Sequence, residues 1–327
     1  MQLTNTIRNY KWNTIAIAIL IALILPWKDL FLGFAQTINN DGYNHWLVFE
    51  AIKTGNAQFL YFGQMITGYS LVWIEKITGI NLITSLMWFS YFTLVIGGII
   101  CMILITNVTK SRLAGILSAF VMTFGTGAVV HLFWSGTVFN LVEMIILFPF
   151  ALLMIFNFTM KKTWINSIWM ILSISILLIY HPTFGIQTAS SMGNIIQPMQ
   201  SPLRTNFDMI KEGYQNPLFT LFYMIGIANF TALIICVKSL WEKKLPISTG
   251  VIFWICSNFA IIFGALAFTG WTAFSPRLAM NFAIVINLIT CLLAGIVIRE
   301  RLKSSWIVIT LLIVGIMPNL VMWIGKY

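Results

Sequence analysis

Apolar runs of membrane-spanning length recur along the whole chain, separated by short segments in which the charged residues collect. Runs long enough to cross a bilayer as helices cover about 13–33, 82–107, 113–133, 138–159, 164–181, 217–238, 248–269, 278–298 and 304–324. A further stretch, about 60–77, is short for a span and is interrupted by Gly63, Gln64, Gly68 and the pair Glu75-Lys76. The pattern predicts an all-α polytopic membrane protein, with one transmembrane domain over 1–327 and about nine spanning helices.

Charge decides how to treat 60–77. If that stretch does not cross and the N-terminus is cytoplasmic, Arg8 and Lys11, Lys110 and Arg112, Lys161 and Lys162, Lys238, Lys243 and Lys244, and Arg299, Arg301 and Lys303 all lie inside. These five short clusters hold 12 of the 19 basic residues. A crossing 60–77 would move four of the clusters outside, against the positive-inside rule. The expected topology therefore has the N-terminus in the cytoplasm and the C-terminus outside. The first outer loop, 34–81, carries amphipathic helices, one of them re-entrant or interfacial over 60–77. A second long outer loop covers 182–216.

Composition agrees: 59% of the residues are hydrophobic and only 9% are charged. The net charge of +10 is the excess expected of cytoplasmic loops, so nucleic acid is not an expected partner. Cys101, Cys236, Cys256 and Cys291 all sit inside apolar runs, which argues against a disulfide framework or a thiolate metal site. The first apolar run is longer than a signal-peptide core and lacks a convincing cleavage site, so it is expected to stay as a span.

In this topology the polar chemistry falls on the outer face. His45, His131 and His181 lie there, with Asp29, Asp41, Glu50, Glu75, Asp208 and Glu212, and Arg277 enters the eighth span from the same side. The densest polar cluster is 39–56. Read as a helix, it has Asp41 as N-cap and Gly55 or Asn56 as C-cap. Asp41 and His45 share one face, and Tyr43, Trp46, Leu47, Phe49 and Ile52 form an apolar side suited to a bilayer surface.

Asp41 has the chemistry of a general base toward an acceptor hydroxyl or amine, and equally that of a helix cap. Arg277, opening a transmembrane helix, suits a phosphate at headgroup level, and equally an arginine reaching out to lipid. Glu143 lies inside the fourth span one turn after Asn140, where an acid is a functional candidate or a partner for a histidine. No two histidines have the spacing of metal ligands, so a divalent metal is possible but unsupported, and no other cofactor is implied. The chain contains no Walker A sequence, dinucleotide fingerprint, G-x-S-x-G or H-E-x-x-H.

Several stretches taken in order resemble one family. They are Asp41-Gly42-Tyr43-Asn44-His45 after the first span, Ala51-Ile52 and Gly55, the surface stretch closing on Thr78-Gly79, and Phe133-Trp134-Ser135-Gly136 with Pro149. Tyr180-His181-Pro182 and Ser275-Pro276-Arg277 leading to Ala294-Gly295 follow. This order is similar to that of the GT-C superfamily of membrane glycosyltransferases, which use polyprenyl-phosphate-linked sugars. The resemblance covers most of the chain through short motifs. It implies an inverting glycosyltransferase that moves a sugar from a polyprenyl-phosphate donor to a glycan, lipid or protein acceptor at the outer face of the plasma membrane, in cell-envelope glycan synthesis. Asp41 would be catalytic. His45, Tyr43, Trp134, His181 and Glu143 would contact substrate, and Arg277 with Lys211 would hold the lipid phosphate. Many members carry a second acidic motif in the next outer loop, which 132–138 lacks. A transporter or flippase for a lipid-linked sugar or other amphiphile, and a non-catalytic membrane subunit, are the alternative readings. A transporter would need a polar path, and the inner halves of the spans show little for one beyond Asn258, Asn281 and Asn287.

Overall fold

The computed structural model describes residues 2–25, 41–56, 60, 62–134, 138–180, 220–268 and 275–324. Among them every regular element is helical: α1 (Gln2–Ile24), α2 (Asp41–Lys53), α3 (Phe62–Thr78), α4 (Leu82–Thr109), α5 (Arg112–Phe120), α6 (Gly127–Trp134), α7 (Val138–Met160), α8 (Trp164–Tyr180), α9 (Ile227–Leu240), α10 (Ile247–Phe268), α11 (Ser275–Arg299) and α12 (Ser305–Ile324). Five helical stretches are long and apolar enough to cross a membrane: Leu82–Thr109, Val138–Met160, Tyr223–Leu240, Ile247–Ala267 and Leu278–Arg299. Shorter apolar helices stand at the other four predicted positions: Trp12–Ile24, Arg112–Gly125, Trp164–Tyr180 and Ser305–Leu320.

The bundle is organised around α11. It packs against α4, α5, α9, α10 and α12, and from Leu278 to Val297 it is apolar and buried on nearly every side. The peripheral helices are apolar in the other direction. On α8 and α10, Ile171, Ile179, Trp254 and Ile261 face outward, an exposed apolar surface too extensive for a water-facing protein and suited to lipid.

One end of the bundle gathers the basic segments. Arg112 Nε donates to Asn13 Oδ1 at 2.9 Å, joining the middle of α1 to the α4–α5 corner. Lys110 Nζ lies 5.5 Å from the centre of the Phe156 ring, near the end of α7. Thr249 Oγ1 donates to the Val108 carbonyl at 3.3 Å, and the hydroxyls of Ser239 and Ser304 are 2.7 Å apart. Four of the five basic clusters thus belong to helix ends that meet at one pole, and the fifth, Arg8 and Lys11, precedes Asn13 within α1. Trp164, Trp241 and Trp306 stand at those same ends and Trp12 beside Asn13, 73, 81, 78 and 53% exposed. Indole rings turned outward at one level are what a membrane–water interface selects.

Two of the predicted spans are not continuous. The run 113–133 winds through a π-helical turn, Val121–Gly125, breaks at Thr126 in extended backbone, and resumes as α6. The run 217–238 holds a second π-helical turn, Thr220–Gly226, closed by Gly226 at φ +85° before α9 begins. The local cause is the Gly125-Thr126-Gly127 triplet and Gly226, poor helix formers at the two breaks. The breaks face each other: a Cβ at Gly127 would run into the Tyr223 carbonyl.

Carbonyls released inside an apolar bundle must find donors, because each one left bare would cost several kcal/mol. Asparagine amides supply them. Asn229 Nδ2 donates to Gly125 O at 2.9 Å and Ile225 O at 3.1 Å. Asn287 Nδ2 donates to Ile225 O at 3.2 Å, and Asn319 Nδ2 donates to Phe124 O. Thr126 Oγ1 bonds back to Val121 O at 3.0 Å. Asn258, in contrast, bonds only its own helix, at Trp254 O.

Replacing Asn229 with leucine should therefore lower stability by about 1–3 kcal/mol, because Gly125 O loses its amide donor and Ile225 O keeps only that of Asn287. Gly315→Ala should act at the same place, since its Cβ would press on Asn229 Oδ1. Asn258→Ala should leave stability nearly unchanged. Unfolding of the three variants in detergent, followed by near-ultraviolet dichroism, checks the ranking.

Candidate functional site

At the pole opposite the basic one, α2 and α3 pack as a helix pair against the bundle end. Asp41, expected as the N-cap, is the first residue within helix α2, which ends as its sequence predicts. Gly55 is at φ +74°, its N–H bonds Ile52 O at 3.1 Å, and Asn56 N–H bonds Ala51 O at 2.8 Å. Helix α3 occupies the stretch predicted to lie at the surface or re-enter. Gly63, Thr67, Gly68 and Leu71 make its buried face, while Met65, Ile66, Tyr69, Trp73 and Ile77 point outward.

Small residues let this pair close. Gly68 lies against Phe49 and Ile52 of α2, where any Cβ would collide with the Ile52 methyl. Gly63 and Thr67 meet the end of α8, and the hydroxyls of Thr67 and Tyr180 are 3.3 Å apart. Near the C-terminal ends of both helices Lys53 Nζ pairs with Glu75 Oε2 at 2.9 Å. The hydrogen bond to Glu75 holds the Lys53 ammonium above its ordinary value of 10.5. On the lysine side, the contribution is therefore complete below that value and is lost as pH rises through the raised one. Both groups are partly solvated, so the link orders the helix pair more than it stabilises it.

His45, one turn into α2, sets its ring edge-on to Phe139 of α7, with centroids 4.4 Å apart at 89°. Phe49 lies 6.1 Å from the same ring, and Tyr180 lies 6.4 Å from it. Beside Phe139, Asn140 Nδ2 donates to Asn281 Oδ1 at 3.1 Å, tying the start of α7 to the start of α11. Glu143 follows one turn later, fully buried at the start of the π-helical turn Glu143–Leu147 and within electrostatic reach of Tyr180. In this water-poor surrounding a carboxyl is useful only with a polar or cationic group beside it.

The predicted residues fall on this pole unevenly. His45 meets Phe139, and Glu143 lies within electrostatic reach of Tyr180, whose ring is 6.4 Å from that of Phe139. The backbone of Asp41 and Tyr43 is in the first turn of α2, that of Trp134 at the end of α6, and that of Arg277 in the first turn of α11, one turn before Asn281. The side chains of Asp41, Tyr43, Trp134 and Arg277 lie outside the described part of the structure, as does that of His131. His181 and Lys211 lie outside the described residues, although His181 directly follows Tyr180. Among the described residues, no three of His, Cys, Asp and Glu gather as a metal site.

Sequence reasoning passed over Phe139, Thr67 and Tyr180 as the residues that join α2, α3, α7 and α8. One signal was present. Gly63 and Thr67 are small residues four apart with Gly68 alongside, the spacing by which membrane helices approach closely. No family model, no curated protein and no solved structure matches this chain.

Gly68→Val should force α2 away from α3 and lower stability by about 1–3 kcal/mol. Lys53→Gln should leave the melting temperature unchanged at neutral pH. Thermal melts of both variants in detergent test whether buried small residues or the surface ion pair hold the helix pair.

Proposed function

We propose that this membrane protein is a glycosyltransferase of GT-C type, transferring a sugar from a polyprenyl-phosphate donor to an acceptor at the outer face of the membrane. One observation carries the reading: helix segments bearing most of the expected functional residues converge at one pole, away from the basic clusters. The α2 turn with Asp41, Tyr43 and His45, the Asn140–Glu143 segment, the helix end at Tyr180 and the α11 turn with Arg277 all meet there. The basic pole is then cytoplasmic by the charge rule, with nine spans and the N-terminus inside.

In this scheme Asp41 accepts the proton of the acceptor hydroxyl as its oxygen attacks the anomeric carbon. The carbon–oxygen bond to the polyprenyl phosphate breaks in the same displacement, inverting the centre. Charge develops on the leaving phosphate, where Arg277, with Lys211 or His181, stabilises it. His45 orients the acceptor. Tyr43 and Trp134 offer faces to the sugar, and Glu143 contributes a buried acceptor to the substrate pocket. No metal or cofactor is assigned a step.

The deciding assay is sugar transfer in membranes from a panel of polyprenyl-phosphate sugars, with wild type beside Asp41→Asn. Transfer should fall at least about a hundredfold in the variant while donor binding is retained. Transfer that survives the substitution removes Asp41 as base. Donor binding without transfer from any donor favours a transporter, a reading that the two facing helix breaks support, because discontinuous helices often flank substrate sites in transporters. Topology has its own check. The four native cysteines are buried, so a cysteine introduced at Asn56 should react with an impermeant maleimide from outside, and one at Lys162 should not.

A further inference from the structure

The basic pole carries a feature that the catalytic reading does not use. Where α9 ends and α10 and α11 meet, a cavity of about 410 Å³ opens between the 242–246 connection and the end of α11. Lys243, Lys244 and Arg299 line it, with Glu242 and Glu300. The two connections that frame it, 238–246 and 299–304, contain six basic residues against these two acids. Glu300 approaches Arg299 at 3.9 Å and offsets part of its charge, which leaves the lysines as the dominant field.

The cavity does not stop at the loops. At Glu242 it meets a second, open depression of about 670 Å³ that runs back along α9 over Phe230, Leu233, Ile234 and Val237. Ile234 and Val237 are exposed there, and Trp241, at the junction, is 81% exposed. A cationic pocket at the level of an interfacial tryptophan, continued by an apolar face on the membrane side, has the shape and polarity of one lipid molecule. An apolar face alone would accept any acyl chain; the charge selects the headgroup.

We infer that this corner is a binding site for one anionic phospholipid, with its phosphate on Lys243, Lys244 and Arg299 and an acyl chain along Phe230, Leu233, Ile234 and Val237. The inference rests on the membrane character of the chain and not on glycosyl transfer. A bound lipid would tie α9 to the ends of α10 and α11, next to the Ser239–Ser304 contact that joins α9 to α12.

Native mass spectrometry of the delipidated protein in detergent, with phosphatidylglycerol or phosphatidylcholine added, tests the site. Wild type should retain one phosphatidylglycerol at least about tenfold better than phosphatidylcholine. Each cation near an anionic headgroup contributes about fivefold, so Lys243→Ala/Lys244→Ala/Arg299→Ala should remove that preference. Should the triple variant fail to fold, Lys244→Gln and Glu242→Gln must move retention in opposite directions, down and up. Equal retention of the two lipids by wild type overturns the proposal. So do unchanged retention in the variants and displacement of the lipid by millimolar inorganic phosphate, which would mark a simple anion pocket.

Discussion

A backbone carbonyl set free inside an apolar helix bundle has no water to turn to, and the middle of this fold is arranged around that constraint. Two helices break at the same depth, at Gly125-Thr126 and at Gly226, and the freed carbonyls of Phe124, Gly125 and Ile225 receive the amides of Asn319, Asn229 and Asn287. Asparagine suits the task because its amide carries two N–H donors on a short side chain and no charge. Asn229 uses Nδ2 on both breaks at once, and Gly315 leaves the space its Oδ1 needs. Helices α9, α11 and α12 are thereby bonded to interrupted strings of backbone, not merely packed on them.

The same helix that helps close the breaks also sets the pole where the candidate site lies. Six residues before Asn287, Asn281 holds Asn140, and through it the start of α7, on which His45 and Tyr180 converge. The α2–α3 pair then needs only close contacts to seat itself, and Gly63, Thr67 and Gly68 provide them. A rigid pair, α7 and α11, carries the buried acid and the first turn with Arg277. A lighter pair, α2 and α3, carries Asp41 and His45. On the proposed reading, this division would keep the charge-stabilising side fixed and place the aspartate on the element with fewer buried contacts.

Much of this was legible in the residues, and for a physical reason. Length and hydropathy of a span are properties of contiguous sequence, so all nine apolar runs reappear as helical segments, and the Gly55 helix end and the 62–78 surface helix follow from local rules. Charge clusters are equally local, and their meeting at one pole was foreseen from loop positions alone. The breaks were not foreseen. Gly125-Thr126-Gly127 sits inside a strongly apolar run, and the partners that make a break tolerable, Asn229 and Asn319, are 104 and 195 residues away from the carbonyls they serve. Hydropathy averages over such a break, and only tertiary contact shows that it is satisfied. Phe139 and Tyr180 were missed for a similar reason, since an aromatic in an apolar run is unremarkable until its neighbours are known.

The buried asparagines bear on whether the chain moves a substrate across the bundle or acts at its surface. A polar path needs side chains aimed at a common axis. Asn281 and Asn287 are six residues apart and so point roughly 120° apart around α11. One faces α7, through Asn140, and the other faces the broken segment before α9. Asn258 turns back on its own helix, and the amide nitrogens of Asn229, Asn287 and Asn319 are all engaged by main-chain carbonyls. Among the described residues, the buried asparagine atoms left without a hydrogen bond are the carbonyl oxygens of Asn140, Asn229 and Asn287 and the amide nitrogen of Asn281, spread over α7, α9 and α11. Polar groups spent on stapling backbone cannot also line a passage unless the staples open. Transport through this bundle would therefore require breaking the bonds that make its interrupted helices tolerable, whereas chemistry at the α2–α7–α11 pole leaves them intact.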